Sequence, residues 1–375
     1  MADSMRVQIV DPSAQTPPYD RSLAAALARA GADVELVTSH FVHGPVPLAE
    51  GYEVSEPFYR RSSRLASNSL QRRALGAAEH LPGMLRHRRA AADADVVHYQ
   101  WLTAPAADAY LLPRGPALVM TAHGFLRGTD GGPQGNRVLE RMDAVVALTE
   151  YGAERLRKSG AVAPDRVHVI PHGAFDYLTR LPAEDPLPAE LAGADGPVIL
   201  CFGLIRPYKG VDVLLRAFAE LDGAELWVVG RPLGVDIAEL ERLATDAAGR
   251  VRFVTRFVAD SQVPAIMRSA DLVALPYRDV EQSGVLYTAL AFGKPIVASS
   301  VGGFPEVADA GGEGTPALRL VPPGDPAALA AALGELLADD AERERLGAAA
   351  LAAAKGPYSW DSVARRTLDL YGRLR

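Results

Sequence analysis

Two cations and two glycines lie where an apolar run gives way to a helical pattern, in GPVILCFGLIRPYKGVDVLLRAFAEL, residues 196–221. They are Gly203, Arg206, Lys209 and Gly210. Glycine lets the backbone approach a ligand closely, and a helix that begins near Val211 offers free N–H groups. Together with two positive charges, these groups predict an anion-binding site. The alternative is a solvated loop with ordinary surface cations.

A second loop of this kind lies within residues 276–306, PYRDVEQSGVLYTALAFGKPIVASSVGGFPE. The run VLYTALAFG is typical of a helix that ends at Gly293. Its first backbone N–H groups belong to Ser283, Gly284 and Val285. They are expected at the same sheet edge as the two cations. A helix N-terminus beside two cations suits a diphosphate.

Short apolar runs alternate with Ala/Leu-rich helical stretches, first from MRVQIV to RVHVIPHG and then from PVILCFG to LRLVPPG. This pattern predicts parallel sheets buried on both faces. The fold class is α/β, with two tandem Rossmann-like, doubly wound domains facing a cleft that holds the ligand. The proline-rich stretch 174–196 is the linker candidate. We predict domains at residues 1–178 and 190–356.

The composition narrows the class of protein. A net charge of -7 and a pI of about 5.7 disfavour a nucleic-acid partner. A single cysteine, Cys201, excludes an internal disulfide and disfavours a Cys/His metal cluster. No apolar run has the length of a membrane span, and MADSMRVQIVDPS lacks the apolar core of a secretory signal. These features predict a cytoplasmic protein.

Several motifs together resemble the family-four glycosyltransferases, retaining enzymes of the GT-B fold. In the C-terminal half they are CFGLIRPYKGVDVLLRAF, WVVG, FVADSQVPAIMRSADLVALPY, SGVLYTALAFGKPIVAS and VGGFPEV. In the N-terminal half they are AHGF, VVALTEYGAERL and VIPHGAF. The resemblance implies an N-terminal acceptor-binding domain and a C-terminal donor domain. It also implies that residues 357–375 form a helix crossing back to the N-terminal domain.

The implied reaction moves a hexosyl group from a nucleoside-diphosphate sugar to a hydroxyl acceptor, a small molecule or a lipid-linked glycan. By the resemblance, Arg206 and Lys209 hold the donor diphosphate, and neither a metal nor a further cofactor is needed. His123 is implied near the transferred sugar, where its protonation would offset negative charge. The alternative for His123 is a strand-end histidine bonded to a backbone carbonyl.

One departure concerns two glutamates that the family places eight positions apart. Glu281 stands near the first, where it would act as a catalytic sugar contact, and the second falls on Thr288. The spacing from Gly284 to Gly293 is one residue shorter than usual, so Gln282 or the backbone of Ser283 is the alternative to Glu281. The Thr288 hydroxyl either reaches a ribose or faces the helix interior.

Further contacts are implied around the donor and the acceptor. Backbone groups at Gly230 and at Arg256–Phe257 are expected to read the nucleobase. On the acceptor side, the loop DPSAQTPPYDRSL carries Tyr19 and Asp20, and Asp20 is the one candidate base. Trp101, in HYQWL, is either an acceptor contact or part of the core.

Residues 57–90 hold eight arginines and one glutamate. Interleaved apolar residues make parts of this stretch amphipathic, which suits an anionic membrane surface. The stretch can instead bind a phosphorylated acceptor or form a solvated helix surface. The membrane reading would place the protein peripherally at the inner membrane face.

Three functions remain open on these residues. The first is the glycosyltransferase described above. The second is a GT-B sugar phosphorylase, which would take inorganic phosphate at the same cations, or a nucleotide-sugar epimerase. The third is a non-catalytic protein that binds a nucleotide sugar, an alternative motivated by the missing second glutamate.

Overall fold

The computed structural model describes residues 4–42, 44, 46–65, 69–124, 133–312 and 314–375, with the backbone alone for 133–136. Phe125 of the AHGF motif and residues 66–68 of the arginine-rich stretch lie outside the described residues. The chain divides into two compact units. Unit 1 comprises Met1–Gly173 and Trp360–Arg375, and unit 2 comprises Ala174–Ser359.

The described part of unit 1 contains a sheet of seven parallel strands in the order β3-β2-β1-β4-β5-β6-β7. The strands are β1 (Arg6–Val10), β2 (Asp33–Val37), β3 (Glu53–Ser55), β4 (Val96–Tyr99), β5 (Ala117–Ala122), β6 (Ala144–Ala147) and β7 (Val167–Val169). The central strands are short apolar runs buried on both faces, as helices on each side of a parallel sheet require.

Helices connect these strands. They are α1 (Pro17–Arg29), α2 (Leu70–Ala90), α3 (Pro105–Leu111), α4 (Pro133–Glu140) and α5 (Glu150–Ser159), with the C-terminal helix α13 (Trp360–Leu374). Helix α13 packs against α1. The Tyr371 hydroxyl hydrogen-bonds Nδ1 of His98 on β4 at 2.6 Å, and Nε2 of His98 bonds the Thr121 hydroxyl at 2.7 Å. These bonds attach the last helix of the chain to the first sheet.

The described part of unit 2 contains six parallel strands in the order β10-β9-β8-β11-β12-β13. They are β8 (Val198–Phe202), β9 (Glu225–Val229), β10 (Arg250–Val254), β11 (Leu272–Leu275), β12 (Ile296–Ser299) and β13 (Arg319–Val321). The helices are α6 (Val211–Phe218), α7 (Ile237–Ala244), α8 (Val263–Ser269), α9 (Gly284–Ala291), α10 (Phe304–Ala308), α11 (Pro326–Ala338) and α12 (Asp340–Lys355).

Both sheets have the strand order of a Rossmann-like domain, so the predicted α/β class with two such domains is confirmed. The order reverses between β1 and β4 in unit 1 and between β8 and β11 in unit 2. Two connections leave in opposite directions at such a point and open a crevice at the carboxyl ends of the strands. The loops after these four strands are therefore where each unit can bind a ligand.

The proline-rich stretch 174–196 contains two short 3-10 turns, Asp176–Arg180 and Ala189–Leu191. It is anchored on unit 2. The Tyr177 hydroxyl donates to Asp260 at 2.6 Å, and the Asp185 N–H donates to the Ser261 carbonyl at 2.8 Å.

Candidate functional site

The end of β8 meets the first turn of α9 in unit 2. Gly203 has φ of +95°, and a Cβ atom there would lie 2.8 Å from Cγ2 of Val285 and 3.0 Å from Nζ of Lys209. Any larger residue would therefore push the lysine and the helix away from the strand end. The structure brings together Gly203, Lys209 and Val285, residues that the sequence placed on two separate loops.

Lys209 is 6% exposed and ends a 3-10 turn that Gly210 closes with φ of +66°. Its Nζ lies 4.9 Å from the centroid of the Tyr277 ring. This aromatic face stabilises a cation in a largely dehydrated position. Burial raises the pKa of the nearby Cys201 thiol to about 11, although the Lys209 charge opposes the rise. Cys201 is therefore a neutral thiol, and the lysine supplies positive charge to this strand end.

Arg206 lies at the start of the same turn. Its Nε is buried and makes no hydrogen bond within the described part of the chain. A buried guanidinium donor without an acceptor is costly, and an anion would supply the acceptor. The end of β9 also packs closely against the end of β8. A Cβ atom at Gly230, with φ of +150°, would lie 2.0 Å from the Gly203 carbonyl oxygen.

Helix α9 begins at this edge, directly after Ser283. The Ser283 side chain does not cap the helix; its hydroxyl lies 3.2 Å from the Tyr277 hydroxyl. The first N–H groups of α9, from Gly284 onward, have no carbonyl of their own helix to bind. Together with Arg206 and Lys209 they form an arrangement that can bind a diphosphate.

The contacts around the start of α9 show the environment of Thr288, which stands at the position of the missing second glutamate. The Thr288 hydroxyl donates to the Gly284 carbonyl at 2.9 Å, and the residue is 5% exposed. Of the two alternatives for Thr288, the described contacts favour the helix interior. Oε1 of Gln282 is buried and has no donor among the described residues. The Glu281 carbonyl accepts the Gly303 N–H at 3.2 Å, which joins this turn to the glycine-rich loop after β12.

The Arg256–Phe257 pair follows β10. The Arg256 guanidinium bonds Glu190 Oε1 at 3.4 Å and Gln262 Oε1 at 3.2 Å, so its charge is partly satisfied within unit 2. Phe257 is 50% exposed. An exposed ring beside this strand end offers a surface on which a flat base can stack.

Three predicted residues of unit 1 come together at the carboxyl ends of its strands. The ring of His123 stacks on Trp101 with 5.3 Å between centroids, and Tyr19 meets His123 edge-on at 4.7 Å. The Trp101 indole N–H donates to the Thr16 hydroxyl at 2.9 Å. Trp101 is thus both packed and hydrogen-bonded at the β1–β4 reversal.

Burial lowers the pKa of His123 well below its usual value, and nearby His172 and His98 lower it further. This burial favours the neutral imidazole, which disfavours the expected offset of negative charge by a protonated His123. Its Nε2 lies 2.8 Å from Oε1 of Gln100, an oxygen that can only accept. Nε2 therefore carries the proton, and Nδ1 is left to accept a hydrogen bond.

Asp20 lies on the first turn of α1 and is 1% exposed. Burial raises its pKa well above the usual value, and the charge and hydrogen bond of the fully buried Asp11 raise it further. The Thr16 hydroxyl also donates to Asp20. These contacts make Asp20 a member of a buried carboxyl pair beneath the β1 loop, which disfavours it as the acceptor base.

Two residues of these clusters escaped sequence reasoning. Tyr277 lies under Lys209 and touches Ser283, and Gln100 sets the tautomer of His123. Each directly follows a predicted strand, Tyr277 in LVALPY and Gln100 in HYQWL. Their position at a strand end was the available signal.

Solved structures show the same fold. The chain superposes on sucrose-phosphate synthase of Thermosynechococcus elongatus with a TM-score of 0.70 at 20% identity, covering 99% of each chain. It superposes on HepE of Anabaena, in a complex with UDP, with a TM-score of 0.70 at 20% identity, covering 98% of this chain and 100% of the other. The fold is that of the GT-B enzymes, which pair two Rossmann-like domains.

Sequence comparison is more specific. Residues 20–174 match the model of Glycosyltransferase Family 4, and residues 196–339 match that of Glycosyl transferases group 1. The D-inositol 3-phosphate glycosyltransferase of Xylanimonas cellulosilytica is 32% identical over 395 residues, spanning 95% of this chain and 90% of its own. The enzyme of the same name from Kineococcus radiotolerans is 31% identical over 393 residues. The protein belongs to glycosyltransferase family 4.

The described residues contain no group of three or more His, Cys, Asp or Glu side chains placed to hold a metal ion. None of the helices described is both long and apolar enough to cross a membrane.

Proposed function

We propose that the protein transfers a hexosyl group from a nucleoside-diphosphate sugar to a hydroxyl acceptor, with retention of configuration and without a metal ion. One observation carries the proposal. Lys209 and the first turn of α9 both lie against Gly203, where the strand order of unit 2 reverses, and Arg206 directly precedes the turn that carries Lys209. Because these donors are already in place, they can stabilise the charge of a leaving diphosphate without reorganisation.

In the proposed reaction, the bond between the sugar C1 and the diphosphate oxygen breaks, and its electron pair stays on the diphosphate. The acceptor oxygen bonds C1 on the same face, and its proton passes to an oxygen of the departing phosphate. Glu281 contacts the sugar, with Gln282 or the Ser283 backbone as the alternative. His123 accepts a hydrogen bond from a sugar hydroxyl through Nδ1. The ring of Phe257 and the backbone at Gly230 and Arg256 hold the base.

Related proteins indicate which ligands to test first. HepE has been solved with UDP and with UDP-glucose, so these are the first donor ligands to test. D-inositol 3-phosphate appears in the names of the relatives above and is the first acceptor to test. Tyr19 and Trp101, in unit 1, are proposed to contact the acceptor. We place the reaction in the cytoplasm, where nucleotide sugars are made.

We also propose peripheral attachment to an anionic membrane through α2. Leu70, Leu81 and Leu85 are 80%, 52% and 37% exposed and form one stripe, since they lie 11 and 4 residues apart. Arg86 and Arg88 follow on the same helix. An exposed apolar stripe bordered by arginines suits the headgroup region of an anionic bilayer. Vesicle co-sedimentation tests this attachment.

The donor proposal is tested by measuring turnover of UDP-glucose and the affinity for UDP in two variants. Lys209→Ala and Arg206→Gln should each lower kcat by about 100-fold, the usual effect of removing one donor that stabilises a developing anion. Lys355→Ala and Arg216→Gln are matched controls, because both residues are exposed on helices away from the strand ends. Circular dichroism establishes that each variant is folded.

Near-normal turnover in both folded variants would contradict the diphosphate assignment. Activity that needs inorganic phosphate and no nucleotide would favour the phosphorylase. Conversion of the nucleotide sugar without an acceptor would favour the epimerase.

A further inference from the structure

The β11 loop, residues 276–283 between β11 and α9, packs against the turn that follows β8 and carries the buried lysine described above. The Arg278 N–H donates to the Tyr208 carbonyl of that turn at 2.7 Å. The two segments also touch at Gly210, where a Cβ atom would lie 2.0 Å from the Pro276 carbonyl oxygen. Any side chain at position 210 would therefore push the turn away from the loop.

The side chain of Arg278 joins the beginning of this turn to the beginning of α6. Its Nη1 donates to the Pro207 carbonyl at 2.9 Å and to Oδ1 of Asp212 at 2.8 Å. Its Nη2 donates to Oδ2 of Asp212 at 2.6 Å. Pro207 opens the turn that ends at Lys209, and Asp212 lies in the first turn of α6. One planar guanidinium thus bonds both sides of the short segment that carries Lys209.

The pair of Arg278 with Asp212 supplies fixed geometry rather than net charge. Hydrogen bonds from Arg278 lower the pKa of Asp212, so the carboxylate is charged and neutralises the guanidinium. The two side chains are 42% and 33% exposed, and an ion pair so open to water adds little to the stability of a fold. What the two parallel hydrogen bonds do provide is a defined position for the segment between residues 207 and 212.

Tyr277, in the same loop, contacts the lysine side chain. It is 1% exposed, and the centroid of its ring lies 4.9 Å from Nζ of Lys209. The ring is itself held by Tyr208, which meets it edge-on at 6.0 Å, and by Phe304 at 5.4 Å. The Tyr277 hydroxyl lies 3.2 Å from that of Ser283, the residue before α9. The β11 loop therefore connects the lysine turn to the start of α9.

We propose that Arg278, through its pair with Asp212, is a positioning residue for the donor diphosphate site. The pair fixes the turn so that the ammonium group of Lys209 keeps its place against Gly203, beside the first turn of α9. The inference rests on the proposed function, because Lys209 acts there on the leaving diphosphate. Arg278 does not bind the anion itself, since both of its terminal nitrogens already donate to Asp212 and Pro207.

A pair that does not touch the ligand can still control the rate. A shift of about 1 Å in a group that stabilises a transition state can lower the rate by about 100-fold. The lysine side chain is buried, so the backbone of its turn decides where the ammonium group lies. Loss of the pair should therefore displace the charge without removing it, and the loss of rate should be smaller than that of Lys209→Ala.

Turnover of UDP-glucose tests this role. Arg278→Gln and Asp212→Asn should each lower kcat by about tenfold, because the turn loses its fixed position. The double variant should lose no more than either single variant, because both substitutions break the same pair. Arg319→Gln is the matched control, since Arg319 is similarly exposed and pairs with Glu335 at the amino end of β13, away from the ligand edge.

The Lys209→Ala background distinguishes positioning from a general structural role. In that background, Arg278→Gln should lower kcat no further, because no ammonium group is left to place. A further tenfold loss there would overturn the proposal. Circular dichroism identifies the variants that fold, and Asp212→Asn makes the same test from the other side of the pair if Arg278→Gln does not fold.

Calorimetry with UDP, inorganic diphosphate and uridine gives a second readout, independent of turnover. Arg278→Gln should weaken UDP and inorganic diphosphate by about tenfold, as expected for contacts between charged groups. It should leave the affinity for uridine unchanged, because uridine carries no anion. Equal weakening of all three ligands would mean general damage to the site and would overturn the positioning role.

The same measurements separate this inference from the proposed function. If the wild type binds UDP and inorganic diphosphate and Arg278→Gln binds both equally well, only the positioning role is wrong. If the wild type binds neither, the donor assignment is wrong, and the positioning role is overturned with it.

Discussion

At the scale of single residues, buried ionisable groups set how the stability of unit 1 depends on pH. Asp20 holds its proton more tightly in the folded chain than in the unfolded one, because burial and Asp11 raise its pKa. The stability that this proton provides is fully present below the ordinary pKa of an unfolded aspartate. It is lost as the pH rises through the raised pKa of the folded chain. Asp20 therefore makes the fold less stable from about pH 4 upward.

Asp20→Asn should remove this loss of stability with rising pH, because the amide is neutral and can still donate to Asp11. We expect the variant to match the wild type near pH 4 and to exceed it at pH 8 by on the order of 1 kcal/mol. Urea unfolding at both pH values measures the difference. Asp222→Asn, at an exposed loop position, is the control and should show no such trend. A variant less stable than the wild type at pH 8 would contradict the prediction.

Buried histidines change the stability of the fold with pH in the direction opposite to Asp20. Burial lowers the pKa of His98 to about 3 and that of His172 to about 4. Since the unfolded chain binds these protons near pH 6.5, acid destabilises the fold as the pH falls below that value. The two effects together predict a stability maximum at weakly acidic to neutral pH.

At the scale of secondary-structure elements, α2 shows why the sequence of the arginine-rich stretch was compatible with several functions. The composition of residues 57–90 does not tell which arginine faces which surface. The structure separates them, since Arg72 and Arg73 line a cavity while Arg86 and Arg88 lie further along the helix. That separation depends on where Ser62 and Ser63 pack against the helix, a contact between residues distant in sequence.

The exposed stripe of α2 gives the membrane prediction. Leu81→Ser combined with Leu85→Ser should lower partitioning onto phosphatidylglycerol vesicles by about tenfold, because both side chains lose their apolar contact with the bilayer. Added salt should weaken binding further by screening the arginines. Co-sedimentation measures both effects.

Leu48→Ser is the control, since Leu48 is 83% exposed but lies outside α2. Equal binding of the double variant and the wild type would contradict attachment through this stripe. Equal binding to neutral phosphatidylcholine would contradict the role of the arginines.

The strand-end loops were predictable because parallel strands place their carboxyl ends at one edge. The meeting of Gly203 with Val285 follows from that rule. The strand-end position of Tyr277 and the two alternatives for Thr288 were visible in the sequence, but the Tyr277 ring under Lys209 and the Thr288 bond to Gly284 depend on side-chain packing. For the same reason, the buried pairing of Asp20 with Asp11 was not foreseen, and a candidate base became part of the core.

At the scale of the whole molecule, the division into two units predicts which segments a bound donor protects from amide hydrogen exchange. UDP bound at the β8–β11 reversal should slow amide exchange in residues 203–211 and 283–288, because the free N–H groups there acquire acceptors. Hydrogen exchange with mass spectrometry measures this protection. Lys209→Ala should reduce it, and Lys355→Ala should not. Protection found in unit 1 but absent from these two segments would contradict the donor site.

The bond between Tyr371 and His98 has a consequence for the order of synthesis. Residues 360–375 leave the ribosome after all of unit 2, yet α13 packs on α1 and completes unit 1. The unit that is translated first must therefore wait for the last helix, with the α1 surface uncovered, while the later unit can already be complete. The surface of α1 that α13 covers therefore stays exposed in nascent unit 1 until α13 has been synthesised.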